Sequence, residues 1–159
     1  DRDVGVVAGR RAGLKDVDHL LDDTALLGRK RPRFRVVSKV WEEITTAVSQ
    51  RFVRDNHLKV VDEKSANCVV RGKVTQYKNA VFGFTDAARA QEYRITIGVQ
   101  VTFKDLVKNR ELWTDEIVRT VNYYTVDVPG QKARDPLDAR KEAVDKIADE
   151  ILSRSVEGW

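Results

Sequence analysis

Residues 92–104, EYRITIGVQVTFK, alternate apolar and polar side chains without a slip. Tyr93, Ile95, Ile97, Val99, Val101 and Phe103 share one side, and Arg94, Thr96, Gly98, Gln100, Thr102 and Lys104 the other. A period of two predicts a strand with one face on a core and the other open to water or a partner. The polar segment 106–111, which carries Asn109, separates this strand from a second run opened by Leu112 and Trp113 and continued by Ile117, Val118, Val121, Tyr123 and Tyr124. The pair predicts a hairpin. Upstream, Cys68 to Tyr77 reads as a strand with Val70 and Val74 on one face and Arg71, Lys73, Thr75 and Tyr77 on the other, Leu58 to Val61 as a short strand, and Val4 to Ala8 as a candidate strand. Lys78 to Gln91 reads as a long connection. Its Val81-Phe82-Gly83-Phe84 segment is either a loop tucked back on the core or an exposed tip.

Two segments carry the helical period instead. Val37, Val40, Trp41, Ile44, Val48 and Phe52 recur every three or four residues, which predicts an amphipathic helix of about four turns closed by Asp55 and Asn56. Asp135 as N-cap, Pro136 at the first helical position and Asp138 in the first turn predict a second helix start. Leu137, Val144, Ile147, Ala148, Ile151 and Leu152 form its apolar stripe, and Lys141, Glu142, Asp145, Asp149 and Glu150 its wet side. Residues 16–27 are only loosely helical. The order of helix, strands and helix gives the fold class α+β: a two-layer sandwich with two helices packed on one face of a mostly antiparallel sheet of about four strands.

A chain of 159 residues with 42% hydrophobic and 34% charged side chains is large enough for one domain with a true core. No apolar run approaches the roughly 20 residues that span a bilayer, nor is there a signal-peptide core. The chain has no Met, so a processed product with any targeting or lipid-bearing segment upstream is expected. Its single cysteine, Cys68, opens an apolar strand and is expected to be a buried thiol. His19 and His57 are isolated, and no nucleophile triad, phosphate loop or paired-cysteine motif occurs. No enzyme, metal or cofactor is expected.

Charge is unevenly spread. Residues 1–41 hold ten Lys/Arg and six Asp/Glu, and this excess equals the net +4 of the whole chain. Half of those bases, Arg29, Lys30, Arg31, Arg33 and Arg35, lie in GRKRPRFRV. Such a run is either a solvated arm or a phosphate holder, and the second reading gives an alternative function, a nucleic-acid-binding module. The chain therefore divides into an N-terminal basic segment at 1–41, partly ordered, and an α/β domain at 42–159. The sandwich is expected to fold without residues 1–33.

EITTAVSQRF at 43–52, VRDNHLKVVD at 53–62, NCVVRGKVTQY at 67–77, AQEYRITIGVQVTFKD at 90–105, RELW at 110–113 and a last helix ending in EGW follow one another in a familiar order. Over residues 42–159 this succession resembles the LptE family, the lipopolysaccharide-assembly lipoproteins of Gram-negative outer membranes. The resemblance implies two helices on a four-stranded sheet and a lipid anchor on an N-terminal Cys at the periplasmic side of the outer membrane. It also implies a role as plug and assembly partner of the LptD β-barrel, with direct contact to lipopolysaccharide. Nucleic acid is then not an expected partner. Two features depart from the family: residues 1–41 do not align, and the lipid-acceptor Cys is absent, since Cys68 lies inside a strand and the anchor is expected upstream of this chain.

Lipopolysaccharide carries phosphates and carboxylates beside acyl chains, so a face that handles it needs cations able to make charge-assisted hydrogen bonds. The expected set on the polar sheet face is Arg71, Lys73, Arg94, Lys104 and Arg119. The alternative is that these charges only keep the sheet soluble and its edges unpaired; the resemblance favours a ligand. Val81, Phe82 and Phe84 form the expected partner-contact loop.

Overall fold

The computed structural model describes residues 3–6, 31–55, 58–84 and 91–157. The elements are β1 (Asp3–Val6), α1 (Arg31–Asp55), β2 (Lys59–Val61), β3 (Cys68–Phe84), β4 (Gln91–Asp105), β5 (Arg110–Tyr124) and α2 (Pro136–Glu157). They form one sheet in the order β2-β1-β3-β4-β5. The three long strands run antiparallel, whereas β1 runs parallel to both of its neighbours. The two-layer α+β arrangement is the expected one, with five strands rather than about four.

The uninterrupted alternation of β4 fixes the core. Ile95, Ile97, Val99, Val101 and Phe103 are fully buried, and they meet Ile117, Val121 and Tyr123 of β5 and Val70 of β3. On the same side, α1 contributes Val40, Ile44, Val48 and Phe52, and α2 contributes Ala139, Ala143, Val144, Ile147, Ala148 and Ile151. Each large aliphatic side chain so buried stabilises the fold by about 1.5–3 kcal/mol relative to exposure. Leu137, expected in the α2 stripe, is 58% exposed; Ala139 and Ala143 occupy the buried positions at that end. Small side chains there let the helix lie close to the sheet.

Local chemistry sets the element ends. Asp135 Oδ1 accepts the Leu137 N–H at 2.7 Å and opens α2, as its sequence predicts. Between β4 and β5 the buried Asp105 accepts the N–H groups of Val107 and Lys108, each at 2.9 Å, and Asn109 supplies the left-handed residue at φ 49°. The helices are tied to one another by Arg51, which donates to Asp149 at 2.6 Å and Asp145 at 3.0 Å, and by Arg140, which donates to Glu43 at 2.8 Å. The Asp149 hydrogen bond, aided by both carboxylate charges against the cost of burial, raises the Arg51 pKa above its ordinary value.

Three expectations need correction. First, α1 begins at Arg31, inside the basic run and well before Val37, and passes unbroken through the division at residue 41; Pro32 is tolerated because it falls in the first turn. Second, residues 78–84 are strand rather than connection, so β3 is 17 residues long and Val81, Phe82 and Phe84 lie on it, not in a loop. Third, the phase of β3 shifts at a β-bulge between Val74 and Gln76, which returns Tyr77 to the core side opposite Ile97. Residues 1–33 also include a strand of the sheet: among the described residues β1 lies between β2 and β3, and β2 joins the sheet through it. Residues 16–27, Arg29, Lys30 and His19 fall outside the described residues.

Candidate ligand face

The side of the sheet turned away from the helices is polar. From β3 it carries Arg71, Lys73, Gln76 and Lys78; from β4, Glu92, Arg94, Thr96, Gln100, Thr102 and Lys104; from β5, Glu111, Thr114, Glu116, Thr120 and Asn122, as the cross-strand registers require. Four of the five expected cations therefore share one face. Arg119 does not. It stands opposite Ile97, on the helix side, and pairs with Glu150 of α2.

Two β-bulges shape this face. At each, the extra residue turns toward the open side: Thr75 at the first and Phe82 at the second. Thr75 Oγ1 donates to Glu116 Oε1 at 2.8 Å, reaching across β4 over Gly98. Only a residue without Cβ leaves that path open, because a Cβ on Gly98 would lie 2.9 Å from Thr75 Oγ1 and 3.1 Å from Gln76 Cβ. Beneath the sheet Gly72 does the same for α1, where Trp41 Cη2 and the Gln100 carbonyl oxygen would lie 2.6 and 2.8 Å from an added Cβ.

The cations fall into two groups. Lys73 stands opposite Gln100, Arg71 opposite Thr102, and Lys104 one pair further along opposite Val69. Arg94 lies six residues along β4 from Gln100, or roughly 20 Å. Lys78, opposite Thr96, fills the gap. Its role was hidden in the sequence because the bulge at Thr75 breaks the alternation just ahead of it; a reading that allowed one bulge would have put it on the face. Acidic groups sit mainly on β5, so positive charge concentrates along β3.

Arg71 pairs with Glu63 of the short turn before β3, whereas Lys73, Lys78 and Lys104 form no ion pair among the described residues. At the other end Arg94 lies 3.2 Å from the centroid of the Phe82 ring, donates to Asn122 Oδ1 at 2.8 Å, and Asn122 in turn donates to Glu92 at 2.8 Å. The guanidinium is thus stacked and oriented, while Phe82 remains 52% and Val81 44% exposed. Tyr93 and Tyr123 stack beneath at 5.5 Å, and the Tyr123 hydroxyl donates to Asn79 at 3.0 Å. This end of the sheet therefore offers a cation beside exposed apolar surface. Cys68, as expected, is a buried thiol.

Residues 34–155 match the profile of the LptE family, described as lipopolysaccharide-assembly. Among proteins of curated function none matches the sequence. A protein of Xanthomonas campestris is similar in structure, with TM-score 0.55 at 9% identity over 74% of this chain, which spans 61% of the Xanthomonas protein. A protein of Chlamydia trachomatis has TM-score 0.53 at 12% identity, with 100% of this chain and 98% of that one covered. Both likenesses concern the fold alone. The rare lipoprotein B of Shewanella oneidensis is 25% identical over 72% of this chain and 86% of its own, with TM-score 0.45.

Proposed function

Because the chain belongs to the LptE lipopolysaccharide-assembly family, we propose that it is a non-enzymatic outer-membrane lipoprotein that binds lipopolysaccharide on its open sheet face and helps to assemble and plug an LptD-like β-barrel. The observation that carries the ligand reading is the row of Arg71, Lys73 and Lys78 along β3, with Lys104 and Arg94 beside it on β4. Ammonium groups without an internal ion pair are available to phosphate. Arg94, held over Phe82, sets a charge-assisted donor next to apolar surface, the combination a phosphorylated, acylated sugar requires.

The barrel reading rests on the family. A two-layer domain with its apolar residues between the layers can fill a lumen while presenting polar side chains to it, and the half-exposed Val81 and Phe82 at the end of β3 offer the apolar contact to a partner. A lipid on a cysteine upstream of residue 1 would hold the domain at the periplasmic surface of the outer membrane. Among the described residues no helix is long and apolar enough to cross a membrane. The test is co-expression with the cognate barrel. A stable complex recovered from outer membranes by tagging either partner is expected, and failure to co-purify in both directions would overturn the barrel assignment.

A further inference from the structure

β5 is the outer strand of the sheet, with one backbone edge turned away from β4. The Gln100 carbonyl points toward β3, where it lies 2.8 Å from the Cβ position of Gly72, so its partner across the β4–β5 ladder, Glu116, turns its own N–H and C=O outward. Val118, two residues on, does the same. Side chains of the same strand occupy both: Asp115 Oδ1 accepts the Glu116 N–H at 2.8 Å, and Arg119 donates to the Val118 carbonyl at 2.7 Å. Asp115 and Arg119 lie on the helix side and are held by α2, through Arg154 and Glu150 respectively, and Arg154 and Glu150 pair with each other at 2.6 Å. Four charged residues thus form a clasp that caps the strand edge and fastens it to the helix.

The capped edge is self-complementary. An antiparallel pairing with its two-fold axis at Ile117 sets Glu116 opposite Val118 of a second copy, and Asp115 opposite Arg119 of that copy, twice over. Glu116 and Val118 of the other copy would exchange two backbone hydrogen bonds, and the groups of the outer one, the Glu116 N–H and the Val118 carbonyl, are the two now capped. The side chains that cap them are the two that would form the ion pairs between copies. Thr114 falls opposite Thr120, a favourable cross-strand pair. Pairing ends before Tyr124, whose carbonyl accepts the Arg134 N–H at 2.8 Å.

We propose that the β5 edge is a docking strand for a second copy of this chain, held latent by the Asp115–Arg154–Glu150–Arg119 clasp. Opening the clasp frees the Glu116 N–H and the Val118 carbonyl to bond each other across copies, and Asp115 and Arg119 to pair across copies. The proposal does not depend on lipopolysaccharide or on a barrel.

Cysteine trapping on the full chain tests it. Glu116→Cys and Val118→Cys chains, mixed and oxidised, should give a disulfide-linked heterodimer, since oxidation accumulates the minor paired form, and each variant alone should link far less. The unmodified chain, with Cys68 buried, sets the background. In sedimentation, Glu150→Ala/Arg154→Ala should tighten self-association by about tenfold or more. Asp115→Arg should abolish it by placing like charges opposite, and adding Arg119→Asp should restore it. A mixed sample that links no more than the single variants would overturn the proposal, as would a clasp variant with native circular dichroism that associates no better than the unmodified chain. If the clasp variant does not fold, the trapping result on the intact clasp decides.

Discussion

Gly72 and Gly98 hold the two faces of the sheet in register with what lies against them. Trp41 rests on Gly72, and a methyl group there would collide with its ring and with the Gln100 carbonyl, so Gly72→Ala is expected to destabilise by about 1–3 kcal/mol, read from urea midpoints. Gly98→Ala should cost less, because Thr75 can rotate away, but it should break the Thr75–Glu116 bond. Arg71, Lys73, Arg94 and Lys104 were legible as one face because the alternation holds through Val74 and again from Glu92 to Lys104. Lys78 was not legible, since a single inserted residue at Thr75 inverts the phase after it. Arg119 was legible and misassigned: Ile117, Val121 and Tyr123 fix the odd positions of β5 on the helix side, and Arg119 shares that parity.

At the scale of elements, α2 was readable from its cap and stripe, and Asp135→Ala should remove about 1 kcal/mol of stability by leaving the Leu137 N–H uncapped. α1 was readable only where it touches the core; its first turns carry basic residues and no apolar period, so propensity and hydrophobicity gave no boundary before Val37. The end of β3 failed for another reason, as two bulges within one strand leave no window of clean alternation. α2 also carries a pH response. Hydrogen bonds from Lys146 and then Arg134 lower the Glu142 pKa in the folded chain. A depressed folded pKa gives stability that is fully present above the unfolded value and lost as pH falls through the folded one. Thermal midpoints of the wild type should therefore fall on acidification through the carboxylate range more than those of Glu142→Gln, and equal falls would remove Glu142 from the effect.

For the whole molecule, the sequence pattern conveyed the sandwich but not the order of its strands. The apolar run from Val4 marks β1 as a strand, but its parallel pairing with β2 and β3 is long-range and leaves no local signature. Deleting residues 1–33 should accordingly lower the unfolding midpoint and loosen β2, measurable by hydrogen exchange at residues 59–61. Full retention of the midpoint would show that β1 contributes nothing to the sheet. The central claim is that the open face binds lipopolysaccharide through its β3 cations, and a titration of purified lipopolysaccharide against Lys73→Glu/Lys78→Glu tests it most directly. Both side chains are exposed on the face away from the core, so stability should move by no more than about 0.5 kcal/mol per site. Each lost charge-assisted contact should remove roughly 1.5–3 kcal/mol of binding, a factor of ten or more, and wild-type affinity should weaken as salt screens the exposed charges. A variant that unfolds like the wild type and binds lipopolysaccharide with undiminished affinity would contradict the claim.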